Sequence, residues 1–237
     1  MRTLRVAPSL LLVAALAGGM QALPARAAAA LPAPYGDLVQ VKAKQLDAVY
    51  LLPGADFRGY TKLLIDPVQV SFRKDWTKQA NRSRGVSRRI DEQDAQQIAQ
   101  AARSGFEAIF TAAFKAKGYE VQTAPGPDVL RLSPAIANLY INAPQPTGPG
   151  VSRTYTVEAG EATLVLEARD SDTGAILGLA IDKRTTRGSG FATVTTSASN
   201  HAEFEDLFRS WANICVKGFE QLKAASPVSG SKSGKKP

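Results

Sequence analysis

Two long stretches of this chain repeat apolar side chains at steps of three and four residues. Residues 90–117 do so with Ile98, Ala102, Phe106, Ile109, Phe110, Ala113 and Phe114, and residues 201–223 with Phe204, Leu207, Phe208, Trp211, Cys215, Phe219 and Leu222. At 3.6 residues per turn each series falls on one side of an α-helix, so each helix needs a covering layer on that side alone. Residues 162–168 offer such a layer: Ala162, Leu164, Leu166 and Ala168 alternate with Thr163, Val165 and Glu167, the period of a strand with one buried face.

The helix ends carry their own signals. Asp91, Glu92 and Asp94 crowd the start of the first helix, Lys115 and Lys117 its end, as the helix dipole favours, and Gly118 is placed to stop it. Asn200 followed by Glu203 reads as a capping box for the second.

Between the helices, strands are expected at Lys62–Phe72, interrupted by Pro67, at Tyr119–Thr123 and at Val129–Ile141. A hairpin is expected within Thr154–Arg187, turning at Asp170-Ser171-Asp172-Thr173-Gly174. A strand, the first helix and a returning strand make a β-α-β start. The expected fold is therefore α+β, a mostly antiparallel sheet of about five strands with two helices packed on one face.

The first residues combine Arg2 and Arg5 with the apolar run Leu10–Ala17 and the small-x-small sequence Ala25-Arg26-Ala27, the layout of a cleaved export signal over 1–27. The apolar run is shorter than the roughly 20 residues a membrane span requires. Removal would leave a periplasmic or secreted chain with a flexible arm at 28–48, one domain at 49–224 and a disordered basic tail at 225–237. Cys215 is the single cysteine, so no internal disulfide can form, and its apolar neighbours suggest a small buried hydrophobe. No cysteine stands near residue 27 to accept a lipid, so no lipid anchor is expected.

The net charge is +8, falling to +5 without Arg2, Arg5 and Arg26. Residues 73–89 concentrate Arg73, Lys74, Lys78, Arg82, Arg84, Arg88 and Arg89 against Asp75 alone, within a loop expected over 77–89. These cations are the candidate binding residues, for an envelope protein or an anionic surface. Nucleic acid is not an expected partner, because the loop lacks aromatic residues on which bases could stack.

Catalytic constellations are sparse. His201 is the one histidine and is read as an exposed first-turn residue, and one His with one Cys cannot complete a zinc site. Asp170, Asp172 and Asp182 could form a calcium site or an acid pair, but Asp, Ser, Thr and Gly are also what a tight turn needs. No P-loop, dinucleotide fingerprint or nucleophile elbow occurs, and no cofactor is expected.

The stretch YLLPGADFRGYTKLLIDPVQVSFRKDW (residues 50–76), with GPDVLRLSPAIANL, GEATLVLEARDSDTGAIL and DLFRSWA, resembles a bacterial envelope family of unknown function, DUF 3313. The resemblance spans about Tyr50 to Lys223. It implies an exported bacterial protein, in many members a lipoprotein, with no assigned reaction and no catalytic residues to carry over. The functional expectation is a non-enzymatic envelope accessory or interaction protein. The alternatives are a small-ligand or glycan module with a pocket lined by residues such as Phe72, Tyr119 and Trp211, and a carboxylate-based hydrolase.

Overall fold

The structure, a computed structural model, describes residues 35–82, 84–86, 89–142, 154–156, 159–186, 193–195 and 197–229. In chain order its elements are β1 (Val39–Val41), β2 (Ala48–Leu51), β3 (Lys62–Ile65), β4 (Gln69–Phe72), α1 (Trp76–Ala80), α2 (Glu92–Lys115), β5 (Glu120–Gln122) and β6 (Val129–Ile141). There follow β7 (Thr154–Thr156), β8 (Gly160–Asp170), β9 (Ile176–Thr185), β10 (Thr193–Thr195) and α3 (Ser197–Ala225). The export signal expected at 1–27 and the three tail lysines, Lys232, Lys235 and Lys236, lie outside the described residues.

The expected five-stranded, mostly antiparallel sheet with two helices is corrected. Among the described residues there is an eight-stranded mixed sheet ordered β1-β2-β9-β8-β6-β3-β5, with β4 also on β6, a separate β7–β10 pair, and three helices. The pairs β1–β2, β2–β9, β8–β9 and β6–β8 are antiparallel, whereas β3–β5, β3–β6 and β4–β6 are parallel. The parallel half follows from α2, because a strand, a crossover helix and a strand returning beside the first must run the same way.

Pro67 splits the expected Lys62–Phe72 strand in two. Having no N–H of its own, it ends β3, and the chain resumes pairing on the same side of β6 as β4. The break is stitched by α2: Glu107 accepts the Val68 N–H at 2.9 Å and Arg103 donates to the Val68 carbonyl at 3.2 Å. Strands β1 and β2 begin within the segment whose composition suggested a flexible arm.

Asp91 caps α2 by accepting the Asp94 N–H, and the Asp94 side chain returns the contact, a full capping box. The box expected at Asn200 and Glu203 is absent, because α3 starts at Ser197 and Asn200 is a buried interior residue. Glu203 instead accepts from the Ala159 N–H at 2.8 Å and the Thr186 hydroxyl at 2.9 Å, joining α3 to the approach and exit of the β8–β9 hairpin.

Both long helices lie on one sheet face and meet through aromatic rings. Phe106 stacks on Phe110 and meets Phe208 edge-on, with centroids 5.0 and 5.4 Å apart, and Phe208 stacks towards Trp211. Beneath them, Ile136 and Leu164 are fully buried. Trp76 lies flat on Phe72 at 4.2 Å and donates to the Ile141 carbonyl at 3.1 Å, so α1 closes the end of β4. The chain after α3 is bound as well: Val228 exchanges backbone hydrogen bonds with Gly54 and Ala55, and the Ser226 hydroxyl accepts the Phe57 N–H.

Candidate ligand-binding site

The basic residues singled out in the sequence do not converge. Arg73 lies over the Tyr140 ring, 3.6 Å from its centroid, and pairs with Glu161 at 2.7 Å. The Arg84 Nε donates to the Ala80 carbonyl at 2.8 Å, one of the last carbonyls of α1. Lys74, Lys78, Arg82 and Arg89 are exposed, and Arg88 lies outside the described residues.

The carboxylates serve the turn and the core. Asp170 Oδ1 accepts from the backbone of Asp172 and Thr173 and from the Thr173 hydroxyl, while its other oxygen accepts from Tyr60 at 2.7 Å. Burial alone would raise the Asp170 pKa, but the Tyr60 and Thr173 donors outweigh it and hold the carboxyl below its ordinary value. Asp182 pairs across the sheet with Leu164, six residues along β8 from Asp170. At roughly 3.4 Å per residue the two carboxylates are about 20 Å apart, beyond any paired acid-base geometry. Among the described residues no three His, Cys, Asp or Glu side chains are grouped to hold a metal. His201 is exposed, with Nε2 at 3.1 Å from Glu205.

The aromatic residues expected to line a pocket are spent elsewhere. Phe72 lies under Trp76, the Tyr119 hydroxyl donates to Glu220, and Trp211 Nε1 donates to Asp182 at 2.8 Å. Burial and the Glu220 carboxylate together raise the Tyr119 pKa and keep the phenol neutral.

A different place is hollow. Between the C-terminal half of α3, the end of α2 and strands β2, β9, β8 and β6 lies a cavity of about 610 Å³. Its depth is apolar: Leu51, Phe57, Phe114, Leu130, Leu132 and Leu166 form the wall with Cys215 and Phe219. Burial pushes the Cys215 thiol up to about 12, so at neutral pH it is an inert, uncharged part of that wall. The rim is polar, with exposed Lys42, Lys44, Gln45 and Gln221.

Small residues keep this space open. Ala168, Gly178 and Ala180 face it from the sheet and Gly218 from α3. Gly178 has a packing reason, since a β-carbon there would meet the Leu51 side chain at 3.0 Å and the Tyr50 carbonyl at 3.3 Å. Gly218 has none: nothing lies within 4 Å of where its β-carbon would be, although glycine inside a helix costs about 1 kcal/mol against alanine.

The segment after β1 forms a strap along the rim, fixed at its far end. The Asp47 N–H donates to Asp182 Oδ1 at 3.1 Å, the Lys183 N–H to Asp47 Oδ2 at 2.8 Å, and Arg184 Nη2 to the Gln45 carbonyl at 2.7 Å. Asp182 also binds Arg184 and Trp211, so one buried carboxylate ties the strap to the core.

Together these features define an α+β protein, with two long helices over one face of a mixed sheet and an apolar cavity between the layers. The chain belongs to the family described as protein of unknown function (DUF3313), whose model matches residues 28–214. No curated protein matches it. Similar solved structures include a DUF330 protein from Xanthomonas campestris, at 13% identity and TM-score 0.42, covering 73% of this chain and 91% of that one. A neuraminyllactose-binding hemagglutinin homolog from Helicobacter pylori is similar at 13% identity and TM-score 0.34, over 78% and 97% of the two chains. The PelC dodecamer from Paraburkholderia phytofirmans is similar at 14% identity and TM-score 0.31, over 68% and 94%.

Proposed function

We propose that this chain is an exported, non-enzymatic binding protein of the bacterial envelope that holds an apolar small molecule between α3 and the sheet. The cavity carries the reading. Its size falls in the roughly 300–1,000 Å³ range of small-molecule sites, and its depth offers aliphatic and aromatic carbon. A water molecule needs two to four polar partners, which such a wall does not supply, so an apolar occupant is favoured over solvent. The wall also favours a hydrocarbon over a glycan, whose hydroxyls would lose their hydrogen bonds there.

Export is supported by the layout of residues 1–27, and the non-enzymatic reading by the dispersal of Asp170, Asp182 and His201. The test uses N-phenyl-naphthylamine, an uncharged apolar fluorophore. The wild-type protein is expected to bind it saturably at one site, and Gly218→Leu, which puts a side chain into the hollow from the helix side, to bind it more weakly while staying folded. Equal binding by both proteins, or by neither, would contradict the proposal.

A further inference from the structure

We infer that the natural ligand is an anionic amphiphile, whose hydrocarbon chain fills the cavity and whose carboxylate or phosphate head is held at the rim by Lys42 and Lys44. The inference rests on the cavity reading and adds the chemistry of the head. All four polar side chains of the lining, Lys42, Lys44, Gln45 and Gln221, are at the exposed rim, and no carboxylate is among them. A ligand whose chain reaches Phe114 and Phe219 must therefore leave its head beside two ammonium groups.

Neither lysine is committed elsewhere. Among the described residues, Lys62 pairs with Asp128, Lys183 with Glu161, and Lys223 donates to the Tyr60 carbonyl, whereas Lys42 and Lys44 have no such partner. The nearest acid on their own strap, Asp47, is turned away and accepts the Lys183 N–H. The strap is pinned through Gln45 and Asp47, so the backbone that carries the two lysines is held along the rim. An uncharged chain would fill the same hollow without using them, and a cationic one would be repelled.

The experiment compares dodecanoate, dodecyl phosphate, dodecanol and dodecyltrimethylammonium below their micelle concentrations, with inorganic phosphate as the headgroup alone. Calorimetric titration of the full protein is expected to show both anions binding about tenfold more tightly than the alcohol, the scale of two exposed charge contacts. Inorganic phosphate should give no measurable heat. The Lys42→Ala/Lys44→Ala pair should bind the anions and the alcohol alike, Lys42→Glu/Lys44→Glu should prefer the cation, and Gly218→Leu should weaken the binding of all four chains. These lysines are exposed, so the variants are expected to fold. Alcohol and anions binding equally to the wild type, or an anion preference unchanged by both lysine pairs, would overturn the inference and leave the cavity reading standing. Binding of inorganic phosphate as tight as that of dodecyl phosphate would overturn it by showing that the chain adds nothing. Failure of every chain to bind would overturn both.

Discussion

The two ends of the helix–sheet interface are made from the same layers and are filled in opposite ways. Over Ile136 and Leu164 the space is closed by Phe106, Phe110, Phe208 and Trp211, and the buried carboxylate of Asp182 is bonded there to Trp211 and Arg184. A few residues further along both helices, over Leu130, Leu132 and Leu166, the positions that would complete the layer are Ala168, Gly178, Ala180 and Gly218. The helices have the residues to pack tightly and do so where stability is made. At the other end small side chains leave a cavity between the layers, and that difference is the basis for proposing an occupant there.

Substitutions that exploit this contrast have graded effects. The largest is expected from Asp182→Ala, which removes the carboxylate partner of Arg184 and leaves Trp211 Nε1 and the Asp47 N–H without their acceptor. The loss should be about 3–5 kcal/mol in urea unfolding, with one of the strap's three ties lost as well. A loss below about 1 kcal/mol would mean the network does not tie the two ends together.

Matched truncations come next. Phe110→Ala, at a fully buried ring, should cost about 3–5 kcal/mol. Leu222→Ala, on the cavity wall, should cost under about 1 kcal/mol because the space beside it is already open. Equal costs would erase the difference between the ends. Gly218→Leu should raise stability by up to about 1 kcal/mol through helix propensity while narrowing the cavity. A drop instead would show that the space is not free.

A further effect tests a region belonging to neither end. Tyr60→Phe removes a donor to Asp170, whose pKa is depressed in the folded state. A depressed carboxyl contributes stability that is present above about pH 4 and is lost as pH falls through its lower folded value. The variant should lose about 1 kcal/mol at neutral pH and show a flatter acid limb, with ligand binding unchanged. An acid limb identical to the wild type would remove Tyr60 from that account.

Much of the frame was legible because it depends on period. The stripes of α2 and α3 and the alternation of β8 are read from spacing alone, and the Asp170–Gly174 turn from residues that bond their own backbone. The sheet's full width was hidden for two reasons. Strands of three or four residues such as Val39–Val41 and Ala48–Leu51 are too short to show alternation, and Pro67 looked like an interruption although pairing on β6 resumes beyond it. The cavity was not read from the sequence because large aromatics drew notice, and Phe72, Tyr119 and Trp211 are all engaged within the fold. A cavity is made by side chains that are absent, and a lone glycine such as Gly218 does not mark one, since α2 carries Gly105 beside Phe106 at the packed end.

The central claim, that the open end of the interface is a binding cavity, is tested most directly by locating a bound chain. Nuclear Overhauser contacts between dodecanoate methylene protons and the side chains of Leu166, Phe219 and Leu222 are predicted, with the carboxylate end near Lys42 and Lys44. Contacts confined to the exposed surface around Lys74 and Lys78, with the cavity side chains unaffected, would contradict it.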